Sequence, residues 1–119
     1  MFNKIITDNF CDPKYQGKMT ESGIKLALSN PVCGDKVDIF INYNKEEDKI
    51  EKARFQAWGC TTSLAMSNIF CKYVENNPLS QVRKISDSEI GELLGVLEPS
   101  QQHCVEMLIS LFKQIKEKV

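Results

Sequence analysis

The chain changes its hydrophobic period once, at Gly59, and this change constrains the fold more than any other feature. Apolar and polar residues alternate over 23–29, 36–43 and 50–58, which is typical of half-buried β-strands. Because short polar links join these segments, they predict an antiparallel meander. From Cys60 to Glu75 the apolar residues instead repeat every three or four positions, which predicts a helix.

Helical spacing recurs on both sides of this core. It predicts an amphipathic helix over 2–10, short helices over 79–84 and 88–94, and a last helix over 101–118. Strands followed by helices predict an α+β fold, in which the N-terminal helix and the C-terminal helices pack on one face of a three-stranded antiparallel sheet. With 119 residues, the chain is expected to form a single domain over 1–119.

Charge and hydropathy exclude several classes of function. The 15 Lys and Arg residues nearly balance the 16 Asp and Glu residues, so there is no excess positive charge for a nucleic acid. No apolar run approaches the roughly 20 residues that span a bilayer, and the first residues lack the apolar core of a signal peptide. We therefore expect a cytoplasmic protein without a nucleic-acid or membrane partner.

The five cysteines are an odd number in a chain without a secretion signal, which favours metal binding or reactive thiols over disulfides. No Cys-x-x-Cys pair is present, so a site must be assembled from distant segments. Cys33 stands in a loop with Pro31 and Gly34, Cys60 opens a helix, and Cys104 opens the last helix. We expect these three stretches to converge on one thiol-rich pocket for iron, sulfur or zinc.

The remaining cysteines are predicted to lie outside this pocket. Cys71 is three turns beyond Cys60, about 16 Å along the helix axis, and is interpreted as a small core residue. Cys11 falls in a loop entry and is interpreted as a bystander.

Asp35 and His103 complete the set of candidate ligands. Soft thiolates select zinc, copper(I) or iron–sulfur clusters, and the first turn of a helix favours the thiolate form at Cys60 and Cys104. A carboxylate binds iron more weakly than a thiolate does, so Asp35 is suited to ligand exchange. Alternatively, Asp35 accepts a backbone N–H in a turn and His103 is a surface residue.

A thiol nucleophile with a histidine base is a second alternative. His103 and Cys104 are adjacent in a helix, where neighbouring side chains point about 100° apart, so they are not expected to face each other. Cys33 or Cys60 could pair with His103 instead. No orienting residue or oxyanion signature accompanies them, so a hydrolase is the weaker interpretation.

Four motifs together resemble the IscU/NifU family of iron–sulfur cluster assembly scaffolds, over nearly the whole chain. Residues 8–13 with Gly17 are similar to the family's D-H-Y-x-N-P…G, residues 31–35 match P-x-C-G-D, and residues 55–63 are similar to F-x-x-x-G-C-x-x-S. The pair at 103–104 matches its H-C. The order and the intervals of these motifs make the resemblance specific.

The resemblance implies a carrier rather than an enzyme. A pyridoxal-phosphate cysteine desulfurase would deliver sulfur as a persulfide, an iron donor would add iron, and a transient [2Fe–2S] cluster would pass to apo iron–sulfur acceptor proteins. Cys33, Cys60 and Cys104 would hold the cluster, with Asp35 and His103 as alternative fourth ligands. Cys104 would be the persulfide acceptor. The resemblance also implies zinc on the same ligands in the isolated protein, and a monomer or transient dimer.

Departures from the family pattern limit what carries over. Of the L-P-P-V-K segment that an Hsp70-type chaperone recognises, only Leu97 and Pro99 are present, so the resemblance gives this partner little support. Thr61 and Thr62 replace small residues after the second cysteine. The related SufU branch, whose members are zinc-bound sulfur-transfer proteins, has an insertion and lacks the histidine. His103 therefore favours the cluster scaffold, and a SufU-like persulfide acceptor is the alternative.

Overall fold

A computed structural model describes residues 2–21, 23–30 and 34–119. After the first helix, three consecutive strands are followed by the remaining helices, as the period change predicts, which confirms the α+β fold. In chain order the elements are α1 (Lys4–Cys11), β1 (Ile24–Asn30), β2 (Asp35–Asn44), β3 (Lys49–Trp58), α2 (Thr61–Asn76), α3 (Leu79–Lys84), α4 (Asp87–Leu93), a 3₁₀ turn (Pro99–Gln101) and α5 (His103–Lys118).

The sheet is an antiparallel meander in the order β1-β2-β3. Its apolar face is continuous across the strands, because Leu26 lies opposite Ile39 and Ile39 lies opposite Phe55, and all three are buried. Helix α2 packs on β3 and β2, α5 packs on β1 and α2, and α1 packs against α2. The apolar core therefore lies between the sheet and its helices. Within the described residues, no helix combines the length and the hydropathy needed to cross a membrane.

The last helix begins at His103, two residues later than predicted. Residues 99–101 form a separate 3₁₀ turn, since the side chain of Glu98 accepts the backbone N–H of Gln101 and the Gln101 side chain accepts that of Glu98. Gln101 therefore belongs to this turn, and His103 and Cys104 become the first two residues of α5.

Side chains from α2 and α5 bind both edges of the sheet. Gln114 donates to the carbonyl of Ala27 over 3.0 Å and accepts its N–H over 3.2 Å, at the edge of β1. Glu75 accepts the N–H of Ala53 over 3.0 Å, at the edge of β3. These contacts cover backbone groups that an edge strand would otherwise expose. They also fix the two helices on the sheet whose ends carry the cysteine stretches.

Candidate metal centre

The beginnings of α2 and α5 meet beside the start of β2. Cys60 stands immediately before α2, and His103 and Cys104 open α5. The Sγ atoms of Cys60 and Cys104 and a ring nitrogen of His103 all lie within 4.8 Å of one another. The structure thus brings three of the predicted site residues together, although 43 positions of sequence separate Cys60 from His103.

Asp35 lies next to this group and is buried. Its Oδ1 accepts the backbone N–H of Cys60 over 3.0 Å, and its Oδ2 lies 3.3 Å from Nε2 of His103. The carboxylate therefore satisfies a backbone donor at the start of α2 and orients the imidazole. Asp35 is therefore the acceptor of a backbone N–H, which was one alternative from the sequence, and its carboxylate also lies 3.3 Å from a candidate ligand atom of His103.

Gly59 makes this approach of Asp35 possible. It has a φ of +146°, and a Cβ at this position would overlap Oδ1 of Asp35. A residue without a side chain is needed both for the backbone conformation and for the carboxylate. Gly59 therefore controls the distance between β2 and the start of α2.

Ser63 connects the two thiols, and sequence reasoning gave it no role. Its buried Oγ lies 3.2 Å from Sγ of Cys60 and 3.7 Å from Sγ of Cys104. The signal was present, because residues three apart on a helix share a face and Ser63 follows Cys60 by three. The position of Cys104 on the other side of the hydroxyl could not be deduced from spacing.

His103 and Cys104 face each other, so the prediction from helical geometry is wrong. Sγ of Cys104 lies 3.5 Å from Nε2 of His103. The angle of 100° describes directions at the backbone, whereas the imidazole is long enough to turn over the adjacent thiol, and Asp35 holds it there. The contact does not make a catalytic pair accessible to substrate, because Cys104 is fully buried.

Cys104 is also not favoured as a thiolate in the metal-free protein, contrary to the prediction from its place in the helix. Burial raises the pKa of the Cys104 thiol to about 12, while the hydrogen bond with Ser63 acts in the opposite direction and the neighbouring Cys60 raises it again. Desolvation outweighs the positive end of the helix dipole here. A bound metal cation would supply the positive charge that stabilises the thiolate form of Cys104.

The other cysteines take different positions. Cys71 is buried in the core, and desolvation raises its pKa far above the ordinary value, as expected for an inert thiol. Cys11 is exposed at the end of α1. Cys33, predicted as a ligand, lies outside the described residues.

An open pocket of about 390 Å³ leads to the site from solvent. Cys60, which is exposed, lines it together with His103 and Asp35. Its other walls are Phe2, Thr62, Glu98, Ser100 and Gln101. The pocket thus gives an incoming group access to Cys60 and His103, while Cys104 is buried.

The donor set fits a soft metal. A tetrahedral zinc ion, with bonds of about 2.3 Å to sulfur and about 2.05 Å to nitrogen, sets its sulfur and nitrogen ligands about 3.5 Å apart. The separation between Sγ of Cys104 and Nε2 of His103 has this value, 3.5 Å. Two thiols and an imidazole are also ligands found for iron–sulfur clusters. The geometry therefore suits either zinc or an iron–sulfur centre.

The fold and the site together define an α+β domain with a thiol and imidazole centre where two helices begin. The family model described as the NifU-like N terminal domain matches residues 1–116. The chain belongs to this family, which confirms the resemblance drawn from its motifs.

Named relatives and solved structures agree with this assignment. The chain is 31% identical to the iron-sulfur cluster assembly scaffold protein IscU of Aquifex aeolicus, over 98% of this chain and 74% of that protein. It is 33% identical to the nitrogen fixation protein NifU of a Nostoc species, over 86% of this chain and only 36% of that longer protein. The fold is shared with the N-terminal part of a NifU-like protein from Brucella abortus, with a TM-score of 0.62, 12% identity and coverage of 96% and 79%.

Proposed function

We propose that this protein is an assembly scaffold for iron–sulfur clusters. It accepts sulfur from a cysteine desulfurase and iron from a donor, builds a [2Fe–2S] cluster, and transfers that cluster to apo acceptor proteins. The cluster is the cargo of the protein, and the protein is a carrier rather than an enzyme. The observation that carries this proposal is the convergence of Cys60, His103 and Cys104 within 4.8 Å, with Cys60 and His103 lining an open pocket.

Each residue has a proposed role in this scheme. Cys33, Cys60 and Cys104 hold the cluster, and Cys104 carries the persulfide before iron arrives. Asp35 and His103 serve as exchangeable fourth ligands. The contacts of Asp35 support exchange, because a carboxylate that already has partners in Cys60 N–H and His103 loses little when it leaves the metal. The scaffold works as a monomer or transient dimer.

Anaerobic reconstitution tests the proposal. The reduced protein is incubated with ferrous iron, cysteine and a pyridoxal-phosphate cysteine desulfurase, and its visible absorption, iron and labile sulfide are measured. We expect sulfide-to-iron charge-transfer bands with nearly equal iron and sulfide. A colourless protein that gains neither iron nor sulfide would contradict it.

A zinc-bound, SufU-like sulfur acceptor is the second candidate. The 3.5 Å separation of Cys104 Sγ and His103 Nε2 suits tetrahedral zinc and so supports a zinc-bound form, although His103 itself is a residue that the SufU branch lacks. The same reconstitution distinguishes the two functions. Persulfide on a cysteine, with zinc retained and no colour, would replace the cluster scaffold by this sulfur acceptor. Zinc in the isolated protein is expected in either case.

Removal of zinc with a chelator is expected to lower the melting temperature without unfolding the domain. A purely structural zinc domain loses its fold with the metal. Here the core is formed by apolar residues between the sheet and helices, such as Leu26, Phe55 and Leu108. Metal therefore adds only the linkage free energy of its binding. Circular dichroism melts with and without chelator measure the difference, and an unfolded chelated protein would indicate a structural zinc domain.

Asp35→Ala is expected to slow the release of the cluster to an acceptor. The substitution replaces a carboxylate that can leave the metal by a side chain that cannot coordinate at all. Release is followed by the spectrum of an apo-ferredoxin as it acquires the cluster, with Asp8→Ala, at an exposed carboxylate on α1, as the matched control. Faster release from Asp35→Ala than from the control would contradict the exchange role.

A further inference from the structure

Residues 2–17 form a strap that lies along α2 and is attached at both of its ends. At one end, Phe2 is a wall of the pocket that leads to Cys60. At the other end, Gly17 donates its N–H to the carbonyl of Phe55 in β3 over 2.8 Å. The strap therefore links the entrance of the metal centre to the edge of the sheet.

The end of the strap at the sheet is held by several contacts at once. Asn68, which is buried on α2, accepts the N–H of Tyr15 over 2.9 Å and donates to the side chain of Asn9 over 2.8 Å. The guanidinium of Arg54 lies over the ring of Tyr15, 5.3 Å from its centroid, and the Tyr15 hydroxyl accepts the amide of Asn76 over 2.9 Å. These contacts must break together before this end can move.

The end of the strap at the pocket depends on one side chain, Asn3. Its Oδ1 accepts the N–H of Ile6 over 2.8 Å and so caps α1. Its Nδ2 donates to the carbonyls of Leu94 and Val96 over 2.8 Å and 2.9 Å, and these two bonds form a clasp between α1 and the loop after α4. Among the eight residues of α1, all of which are described, only Ile6 is buried. The pocket end is therefore the less stable end of the strap.

We propose that the strap controls access to the metal centre, opening at the clasp of Asn3 and turning about its anchored end at Tyr15. With the clasp closed, the pocket in front of Cys60 has a volume of about 390 Å³, which is typical of a site for small molecules. Opening of the clasp moves Phe2 out of the pocket wall and admits the surface of a protein. The need for a protein partner rests on the proposed function, whereas the opening itself does not.

Thiol labelling with two reagents of different size tests the strap in the reduced, metal-free chain. A polyethylene-glycol maleimide reacts for successive times, the chain is then unfolded, and iodoacetamide labels the thiols that remain. Mass spectrometry of the peptides measures each cysteine separately, and a parallel series uses the small reagent N-ethylmaleimide. The exposed Cys11 serves as the reference for reagent activity, and Cys71 in the core reports unfolding of the whole domain.

Asn3→Asp breaks the clasp and keeps the cap of α1. The carboxylate retains the acceptor for the N–H of Ile6, but it replaces the donating amide by an oxygen that faces two carbonyls. Loss of two hydrogen bonds is expected to raise the rate of bulky labelling at Cys60 by about tenfold. The rate with N-ethylmaleimide at Cys60 should not change, since this exposed thiol already reacts through the closed pocket, and neither should the rates at Cys11 and Cys71.

Gly95→Ala breaks the same contact from its other side. Gly95 has a φ of +74°, and a Cβ at this position would lie 2.9 Å from Nδ2 of Asn3. We therefore expect the same selective increase in bulky labelling. Gly91→Ala is the matched control, because its Cβ would lie 3.8 Å from Cγ1 of Val105, which is an ordinary contact, and it should label as the unmodified chain does.

Hydrogen exchange locates the opening along the strap. In Asn3→Asp we expect faster exchange of the α1 amides and unchanged exchange of the Tyr15 and Gly17 amides, which belong to the anchored end. Bulky labelling of Cys60 at the unmodified rate in both clasp variants, an equal increase with both reagents, or a parallel increase at the core cysteine would overturn the proposal. The labelling needs neither iron nor sulfur, so a failed cluster reconstitution would overturn the proposed function and leave the strap intact.

Discussion

Gly59→Ala is expected to lower the free energy of unfolding of the metal-free protein by about 3 kcal/mol. Two effects add at this position. A side chain is strained at a φ of +146°, and its Cβ would overlap Oδ1 of Asp35, a buried carboxylate that cannot move without losing the N–H of Cys60. Urea denaturation monitored by circular dichroism measures the change.

Gly17→Ala is the matched control for this substitution. Gly17 has a similar φ of +157°, but a Cβ there would meet nothing within 4 Å. Only the backbone strain then applies, and we expect a loss of about 1 kcal/mol. Equal losses in the two variants would show that the approach of Asp35 contributes nothing to stability.

Cys60→Ser is expected to weaken zinc or cobalt binding by more than about 100-fold, because losing an outer partner of a ligand alone costs about 10–100-fold. The substitution removes one of two described soft ligands, while the hydroxyl of serine is a poor ligand for these metals. Affinity is measured by anaerobic titration with cobalt, whose thiolate charge-transfer bands also report the number of sulfur ligands.

Cys71→Ser provides the control for metal content. Cys71 is buried in the core on α2, in the same helix that Cys60 precedes, and contributes no atom to the group of candidate ligands. We expect its cobalt spectrum to match that of the unmodified protein. Loss of the bands in Cys71→Ser, or their survival in Cys60→Ser, would contradict the assignment of the cysteines.

The hydrophobic period of the sequence predicts most of this fold, because the burial of one face of each strand and helix requires apolar residues at that period. Alternation in the strands reflects one face packed on helices, as the buried row of Leu26, Ile39 and Phe55 shows. The predicted start of α5 is two residues too early. Gln101 is polar and so carries no hydrophobic period, and its side chain accepts a hydrogen bond within the preceding 3₁₀ turn. Side-chain capping sets the position of such a helix start, and the hydrophobic period of the sequence gives no information about capping.

The sequence predicted that Cys60, His103 and Cys104 would come together, but not how their side chains are arranged. The positions of Cys60 and Cys104 at the starts of helices indicated that they belong to the site, and the motif that contains Asp35 indicated that this carboxylate lies near them. The turn of the His103 ring over Cys104, and the hydroxyl of Ser63 between two thiols, depend on how α2 and α5 pack across the sheet. The raised pKa of Cys104 has the same origin, because burial is a property of the packed structure.

Transfer of an assembled cluster tests the central claim most directly. The reconstituted protein is mixed with an apo-ferredoxin in the presence of an iron chelator, and the circular dichroism of the ferredoxin cluster is followed in time. We expect the ferredoxin to acquire its cluster, and faster than from equal amounts of free iron and sulfide under the same conditions. A cluster that stays on the chain, or that is lost to the chelator before any ferredoxin is loaded, would contradict the scaffold function.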